Sequence, residues 1–189
     1  MREIVKLGII LLVITAVAGL VLGYTNDMTQ GIIQQRAMEE TIEAMGALLP
    51  EADDFQGIED ENVFTDELIV EAYEGTKEGT TVGYAVKVAP QGYGGRVELL
   101  VGMSDEGRIT GVKIGDHSET PGLGSKIADA AFVNQFLDKG TEDAFIITKG
   151  GEAGDEYIEA ISGATVSSKA VVDGVNAARS VFEEVLKNR

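Results

Sequence analysis

Residues 7–24 restrict most strongly what this chain can fold into, because they contain no charged side chain. Eighteen such residues at helical rise approach the thickness of the hydrocarbon core of a bilayer, about 30 Å. Arg2 and Lys6 precede the stretch, and Asp27 follows it. Since positive residues flank the cytoplasmic end of a membrane helix, the pattern predicts an N-terminal anchor with residues 25–189 on the outer side.

A cleaved secretory signal is the competing interpretation of this stretch. Ala16, Val17 and Ala18 form a small-residue cleavage site after a short apolar run. The apolar character continues through residues 20–22, beyond that site. This continuation favours an anchor that stays in the protein.

The composition of the 189-residue chain excludes several kinds of site and partner. It contains no cysteine, which rules out disulfides, zinc–thiolate sites and cysteine-ligated iron–sulfur clusters. Its single histidine, His117, cannot build a site with several histidine ligands. The formal net charge of −17 argues against nucleic acid as a partner, because that binding depends on cationic contacts to phosphates. Any redox chemistry therefore needs an organic cofactor or an unusual metal site made of carboxylates.

Hydrophobic patterning divides the chain into a membrane anchor over residues 1–24, a helical and acidic connector over 25–67, and an outer domain over 68–189. A helix over 28–49 ends at Pro50. Stretches that are rich in β-branched residues or that alternate apolar with polar residues predict strands at 69–73, 81–89, 96–103, 109–114 and 145–148. Two amphipathic stretches predict helices at 125–137 and 167–187. Short connections favour an antiparallel meander, so we expect an α+β domain in which helices pack on a twisted antiparallel sheet.

Three loops of the outer domain have compositions that suit a ligand. Residues 92–95 read GYGG, residues 117–124 read HSETPGLG, and residues 162–168 read SGATVSS. The third loop opens the last helix, whose free N–H groups and partial positive charge suit an anion such as a phosphate. Each loop also has an ordinary interpretation, as a flexible turn, a strand-to-helix connection and a helix N-cap without a ligand.

Together, GYGG, ETPGLG and SGAT resemble in order and spacing the extracytoplasmic FMN-binding subunits of two ion pumps. These are the G subunit of the Rnf complex, a ferredoxin:NAD oxidoreductase, and the C subunit of the sodium-pumping NADH:quinone oxidoreductase. The resemblance covers nearly the whole chain, including the N-terminal span, and the short chain favours the G subunit. It implies FMN joined through its phosphate to Thr165, a phosphoester made by a separate flavin transferase.

The resemblance also implies roles for residues around Thr165. Those expected to shape the phosphate pocket are Ser162, Gly163, Ala164, Ser167 and Ser168, and those expected to line the isoalloxazine are Glu119, Thr120, Gly122, Leu123 and Gly124. As hypotheses of our own, Lys149 or Lys169 offsets flavin or phosphate charge, and His117 relays protons beside a reduced flavin. An ordinary strand-end histidine is the alternative for His117. Glu159 stands where the transferase recognition pattern usually has aspartate, and because the charge is kept we still expect modification.

The expected function is that of a membrane-anchored flavoprotein that carries electrons through covalent FMN in an Rnf-type ion pump of a prokaryotic cell membrane. Its expected partners are the other subunits of the complex, the flavin transferase and the lipid bilayer. A C-type subunit and a non-redox extracytoplasmic anion-binding module remain the alternatives. A hydrolase that uses Thr165 or Ser162 as its nucleophile lacks a partner base, because the only histidine lies in a different loop.

Overall fold

A long N-terminal helix, α1, runs from Arg2 to Leu48 in the computed structural model. The structure describes residues 2–150, 152 and 154–189, without the side chains of 31–35 and 37. The part of α1 from Arg2 to Gln30 is long and apolar enough to cross a membrane. The predicted helix over 28–49 is the second half of α1. The chain divides into two compact units between Ile42 and Glu43, so the last turns of α1 belong to the second unit.

The second unit is built on a five-stranded sheet whose neighbouring strands are all antiparallel. Its strands, in both chain and spatial order, are β1 (Asp54–Gly57), β2 (Ile69–Lys77), β3 (Thr80–Val88), β4 (Val97–Ser104) and β5 (Ile109–His117). The predicted antiparallel meander is therefore confirmed. Strand β1 lies within the stretch predicted as an acidic connector and adds an edge strand beside β2.

Helical segments complete the α+β domain. They are α2 (Ala130–Val133), α3 (Thr165–Glu184) and two 3-10 turns at Gly124–Ala128 and Leu186–Asn188. The continuous helix predicted over 125–137 is wrong, because the extended backbone of Asp129 separates the 3-10 turn from α2 and the left-handed backbone of Asp138 follows. Two short strands, β6 (Ile146–Thr148) and β7 (Tyr157–Glu159), pair in parallel as a separate sheet.

Helices cover both faces of the five-stranded sheet. On one face, α3 buries Val171, Val175 and Phe182 in the main core with the β3 and β4 side chains. Four of the five residues predicted to form the apolar face of this helix are fully buried, and Val185 is partly buried. On the other face, Leu48 and its neighbours at the end of α1 form a second cluster with alternate residues of the same strands. Strand side chains alternate between the two faces, so Leu99 and Val101 of β4 lie in the main core and Leu100 lies in the second cluster.

Candidate functional site

The three loops singled out in the sequence meet at the carboxylate of Glu119, which is only 4% exposed. Its Oε1 atom accepts a hydrogen bond from the Gly94 N–H at 3.0 Å, and its Oε2 atom accepts one from the Ser167 hydroxyl at 2.5 Å. Gly94 lies in the GYGG loop and Ser167 in the first turn of α3. The buried Glu119 side chain in the ETPGLG loop therefore fixes the positions of the other two loops.

Two glycines allow this close approach. A Cβ at Gly124 would lie 2.6 Å from Glu119 Oε2 and 2.9 Å from Ser167 Oγ. A Cβ at Gly94 would overlap the Ser118 carbonyl oxygen. Contacts this short are repulsive, so a larger residue at either position would push the loops apart.

Glu119 is held in its ionised form. Burial by itself opposes ionisation, but hydrogen bonds from Ser167, Gly94 and the Tyr93 backbone outweigh it and keep the pKa of Glu119 below its ordinary value. His117 accepts a hydrogen bond at Nδ1 from the Glu119 N–H at 3.3 Å. This contact holds the imidazole on the backbone of its own loop, and its role as a proton relay stays a prediction.

The start of α3 leaves backbone donors unused. Its N-cap residue, Ala164, cannot cap the helix with a side-chain hydrogen bond, and the first helical bond runs from the Ser168 N–H to the Ala164 carbonyl at 2.9 Å. The N–H groups of residues 165–167 therefore have no backbone partner in the described part of the chain. Thr165 is exposed at this point, so its hydroxyl and a source of partial positive charge lie together at the surface.

Ser168 fixes the loop that leads into the helix. Its buried hydroxyl accepts a hydrogen bond from the Ile161 N–H and donates one to the Ala164 carbonyl, both at 3.0 Å. Ser162 and Gly163 are exposed, while Ala164 is buried. The hydroxyls of Ser167 and Ser168, predicted to shape a phosphate pocket, are thus already engaged within the protein. The contribution that the structure gives them is to position Thr165.

Leu123 lies against the loop that leads into Thr165. Gly163 has a left-handed backbone with φ of 79°, and a Cβ on it would lie 3.1 Å from Leu123 Cδ1. Leu123 is 41% exposed, as are Tyr93 at 73% and Val166 at 54%, so each of the three loops presents one apolar side chain to solvent. Sequence reasoning missed Tyr93 and Val166, although each directly adjoins a motif glycine or threonine. These three side chains offer an apolar surface of the kind that a flat aromatic ring contacts.

The remaining predicted residues fall into two groups. Thr120 and Gly122 form the tight turn of the ETPGLG loop, in which the Thr120 carbonyl accepts hydrogen bonds from the N–H groups of residues 123 and 125. Lys149 is exposed and makes no ion pair within the described residues. The Lys169 ammonium lies 2.5 Å from a carboxylate oxygen of Asp173, one turn further along α3. Of the two lysines, only Lys149 lacks a competing carboxylate.

Comparison with known proteins agrees with this geometry. Residues 92–180 match the FMN-binding domain family, and this range contains all three loops. The G subunit of the Na+-translocating ferredoxin:NAD+ oxidoreductase complex of Acetobacterium woodii is 38% identical over 98% of this chain and 95% of its own length. The chain belongs to the family of G subunits of ion-translocating oxidoreductase complexes. The prediction of a G subunit is thereby confirmed.

Two further comparisons extend the match. The G subunit of the ion-translocating oxidoreductase complex of Methanosarcina acetivorans is 39% identical over 94% of this chain and 93% of its own length. The crystal structure of the C subunit of the Na+-translocating NADH-quinone reductase from Parabacteroides distasonis has a TM-score of 0.56 at 21% identity. That likeness covers 70% of this chain and 77% of the other, and it shows a common fold.

Proposed function

We propose that this member of the G-subunit family carries electrons through FMN in an Rnf-type ion-translocating ferredoxin:NAD oxidoreductase. The observation that carries the proposal is the convergence of the three loops on Glu119, one turn from an exposed Thr165 at an uncapped helix start, within the range that matches the FMN-binding domain family. FMN accepts one or two electrons, which suits a carrier between centres of different kinds, while the protein sets its position and surroundings. The other subunits of the complex supply the remaining steps.

The residues at the site fit an FMN phosphate and ring. The free N–H groups at the start of α3 are donors for a phosphate, and the partial positive charge there stabilises the negative charge of a phosphodiester. Leu123, Tyr93 and Val166 provide apolar surface beside the acceptor. Lys149 has no competing ion pair in the described residues, whereas Lys169 pairs with Asp173, so we expect Lys149 to be the lysine that offsets phosphate charge.

The attachment that this arrangement favours is a phosphoester at Thr165. In its formation, the Thr165 hydroxyl oxygen attacks the FMN phosphorus of a flavin dinucleotide, and the pyrophosphate bond breaks to release a nucleoside monophosphate. The hydroxyl proton passes to a base. Because His117 lies outside the loop that contains Thr165 and its Nδ1 is engaged by the Glu119 N–H, that base belongs to a separate flavin transferase in our proposal.

A membrane complex subunit with an apolar helix near the start of the chain fits a single-pass membrane protein. Arg2 and Lys6 before the apolar stretch support a cytoplasmic start. We therefore place the FMN-binding domain on the outer side of a prokaryotic cell membrane. Covalent attachment suits that location, since a lost cofactor could not readily be replaced there.

The attachment is tested by coexpressing the full chain with a flavin transferase and recording flavin fluorescence in a denaturing gel. The wild-type chain and Thr165→Ser should give a fluorescent band, and Thr165→Val should give none. Thr80→Val, which alters an exposed threonine at the start of β3 and outside the three loops, is the matched control and should stay fluorescent. A fluorescent Thr165→Val band would refute the attachment point. A wild-type band without fluorescence would favour the other class of function, a site that binds an anion reversibly.

A further inference from the structure

The loop over residues 160–165, which we call the acceptor loop because it ends at Thr165, follows directly after strand β7. Strand β6 pairs with only one edge of β7. The parallel pairing uses the backbone of alternate residues, as in the hydrogen bond from the Ala160 N–H to the Thr148 carbonyl at 2.7 Å and in that from the Ile146 N–H to the Glu156 carbonyl at 2.7 Å. The N–H and C=O groups of Glu159 consequently point to the opposite edge. A further strand would normally satisfy them there.

Side chains take the place of that strand. The amide of Gln135 accepts a hydrogen bond at Oε1 from the Glu159 N–H at 2.7 Å and donates one from Nε2 to the Glu159 carbonyl at 3.2 Å. Four residues further along the chain, the Lys139 ammonium donates hydrogen bonds to the Tyr157 carbonyl at 3.4 Å and to the Asp155 carbonyl. The segment after α2 thus holds the free edge of β7 at two levels.

These contacts join the same two stretches of chain that the Glu119 carboxylate joins. The hydrogen bond from Ser167 to Glu119 connects residues 119–139 to residues 155–168 at one end, and Gln135 and Lys139 connect them at the other. Along the chain, Leu123 on one stretch and Thr165 on the other lie between the bonds of Glu119 and those of Gln135. The segment that contains Thr165 is therefore held at both of its ends.

Both stretches contribute to the main apolar core. Ile127 and Phe136 come from the first stretch and Ile158 from the second, and all three are fully buried. Phe136 packs edge-to-face on Phe132 at 6.0 Å and on Phe145 at 5.6 Å between ring centroids. Since Gln135 directly precedes Phe136, its amide is anchored next to the core, which limits how far β7 can shift while the bonds are intact.

We propose that Gln135 is a positioning residue for flavin attachment, which fixes the segment over residues 159–165 so that Thr165 is presented in a single orientation. The proposal rests on the proposed function. Gln135 acts through the backbone of Glu159 and does not touch the acceptor itself. A reacting hydroxyl that is held less firmly reacts more slowly even when the fold is intact.

The test uses the full-length, detergent-solubilised chain with a flavin transferase and a flavin dinucleotide. Gln135→Met keeps the side-chain length but removes both hydrogen bonds, and Gln135→Glu keeps only the acceptor for the Glu159 N–H. We expect kcat/KM for attachment to fall roughly tenfold in Gln135→Met and less in Gln135→Glu. Asn134→Ala, which alters the exposed neighbour, is the control and should react like the wild type.

A second readout needs no flavin. In the unmodified chain, the hydrogen-bonded amides of residues 159–161 and 164 should exchange faster in Gln135→Met, while those of the β4 core strand exchange as in the wild type. Attachment or exchange at the wild-type rate in Gln135→Met would overturn the role of Gln135. If Gln135→Met failed to fold, the same comparison with Gln135→Glu would decide. A wild-type chain that takes no flavin would instead overturn the proposed function, and this role with it.

Discussion

Replacement of Glu119 tests whether one buried carboxylate holds the three loops together. Glu119→Ala leaves the buried Ser167 hydroxyl without its acceptor and also removes the acceptor of the more exposed Gly94 N–H. A buried donor without a partner costs about 1–3 kcal/mol and the loss of an ordinary hydrogen bond about 1 kcal/mol, so we expect a loss of about 3 kcal/mol in the free energy of unfolding. For a unit of this size, 1 kcal/mol corresponds to about 3 °C in the melting temperature, which gives a decrease of about 9 °C.

Glu119→Gln separates the charge from the shape. The glutamine keeps an oxygen for the Gly94 N–H, and its NH2 group can donate to the Ser167 hydroxyl, so the expected loss is about 1 kcal/mol near neutral pH. Because the folded-state pKa of Glu119 is lowered, its ionisation stabilises the fold above the ordinary pKa of a glutamate and stops doing so as the pH falls through the folded-state value. The difference between wild type and Glu119→Gln should therefore shrink below about pH 4.

Thermal unfolding followed by circular dichroism, on the detergent-solubilised chain at several pH values, measures these effects. Glu106→Gln, at an exposed turn between β4 and β5, controls for the loss of one negative charge. A Glu119→Ala chain that melts within about 2 °C of the wild type would refute the reasoning. So would a difference between wild type and Glu119→Gln that does not change with pH.

Three further predictions concern the acceptor loop and the membrane topology. Gly163→Ala should lower the free energy of unfolding by about 1–2 kcal/mol, because the backbone there is left-handed and the new Cβ presses on Leu123. Thermal unfolding measures this loss, and an unchanged melting temperature would contradict it. Ser168→Ala removes the acceptor of the Ile161 N–H, so it should lower the melting temperature by several degrees and slow flavin attachment. Attachment at the wild-type rate would show that this hydroxyl does not position the loop. Because the chain has no cysteine, Glu106→Cys introduces a single thiol, which a membrane-impermeant maleimide should label in intact cells; labelling only after lysis would place the domain in the cytoplasm.

The sequence predicted the main sheet well because its signals are local. Alternating or β-branched stretches separated by short turns specified β2 to β5 and their antiparallel order. The amphipathic period of α3 likewise predicted which of its side chains are buried. These patterns reflect the backbone geometry of single elements, which neighbouring residues determine.

The parts that the sequence did not predict depend on distant partners. Strand β7 has three residues and is defined by its pairing with β6 and by the Gln135 amide, neither of which leaves a pattern within residues 157–159. In the wrongly predicted helix over 125–137, the apolar spacing is helical, yet the extended Asp129 allows Phe132 and Phe136 to reach the core by another path. Local spacing could not reveal this, because the core itself selects the path.

The same distinction applies to the site. The motifs indicated which three loops form the candidate site, and the structure brings all three together. The family resemblance implied that Glu119 lines the ring, but the sequence could not show that its carboxylate is buried and bonded to two other loops. Gln135 carried no signal at all, since an isolated glutamine after a short apolar stretch is common in proteins of any function.

The mass of the intact protein, purified from the membranes of its own host, shows directly whether Thr165 carries FMN. We expect the chain to be heavier than its sequence by one FMN less one water, and fragmentation to locate this addition on Thr165. A mass equal to that of the unmodified polypeptide would contradict the claim, and so would an FMN addition on any other residue.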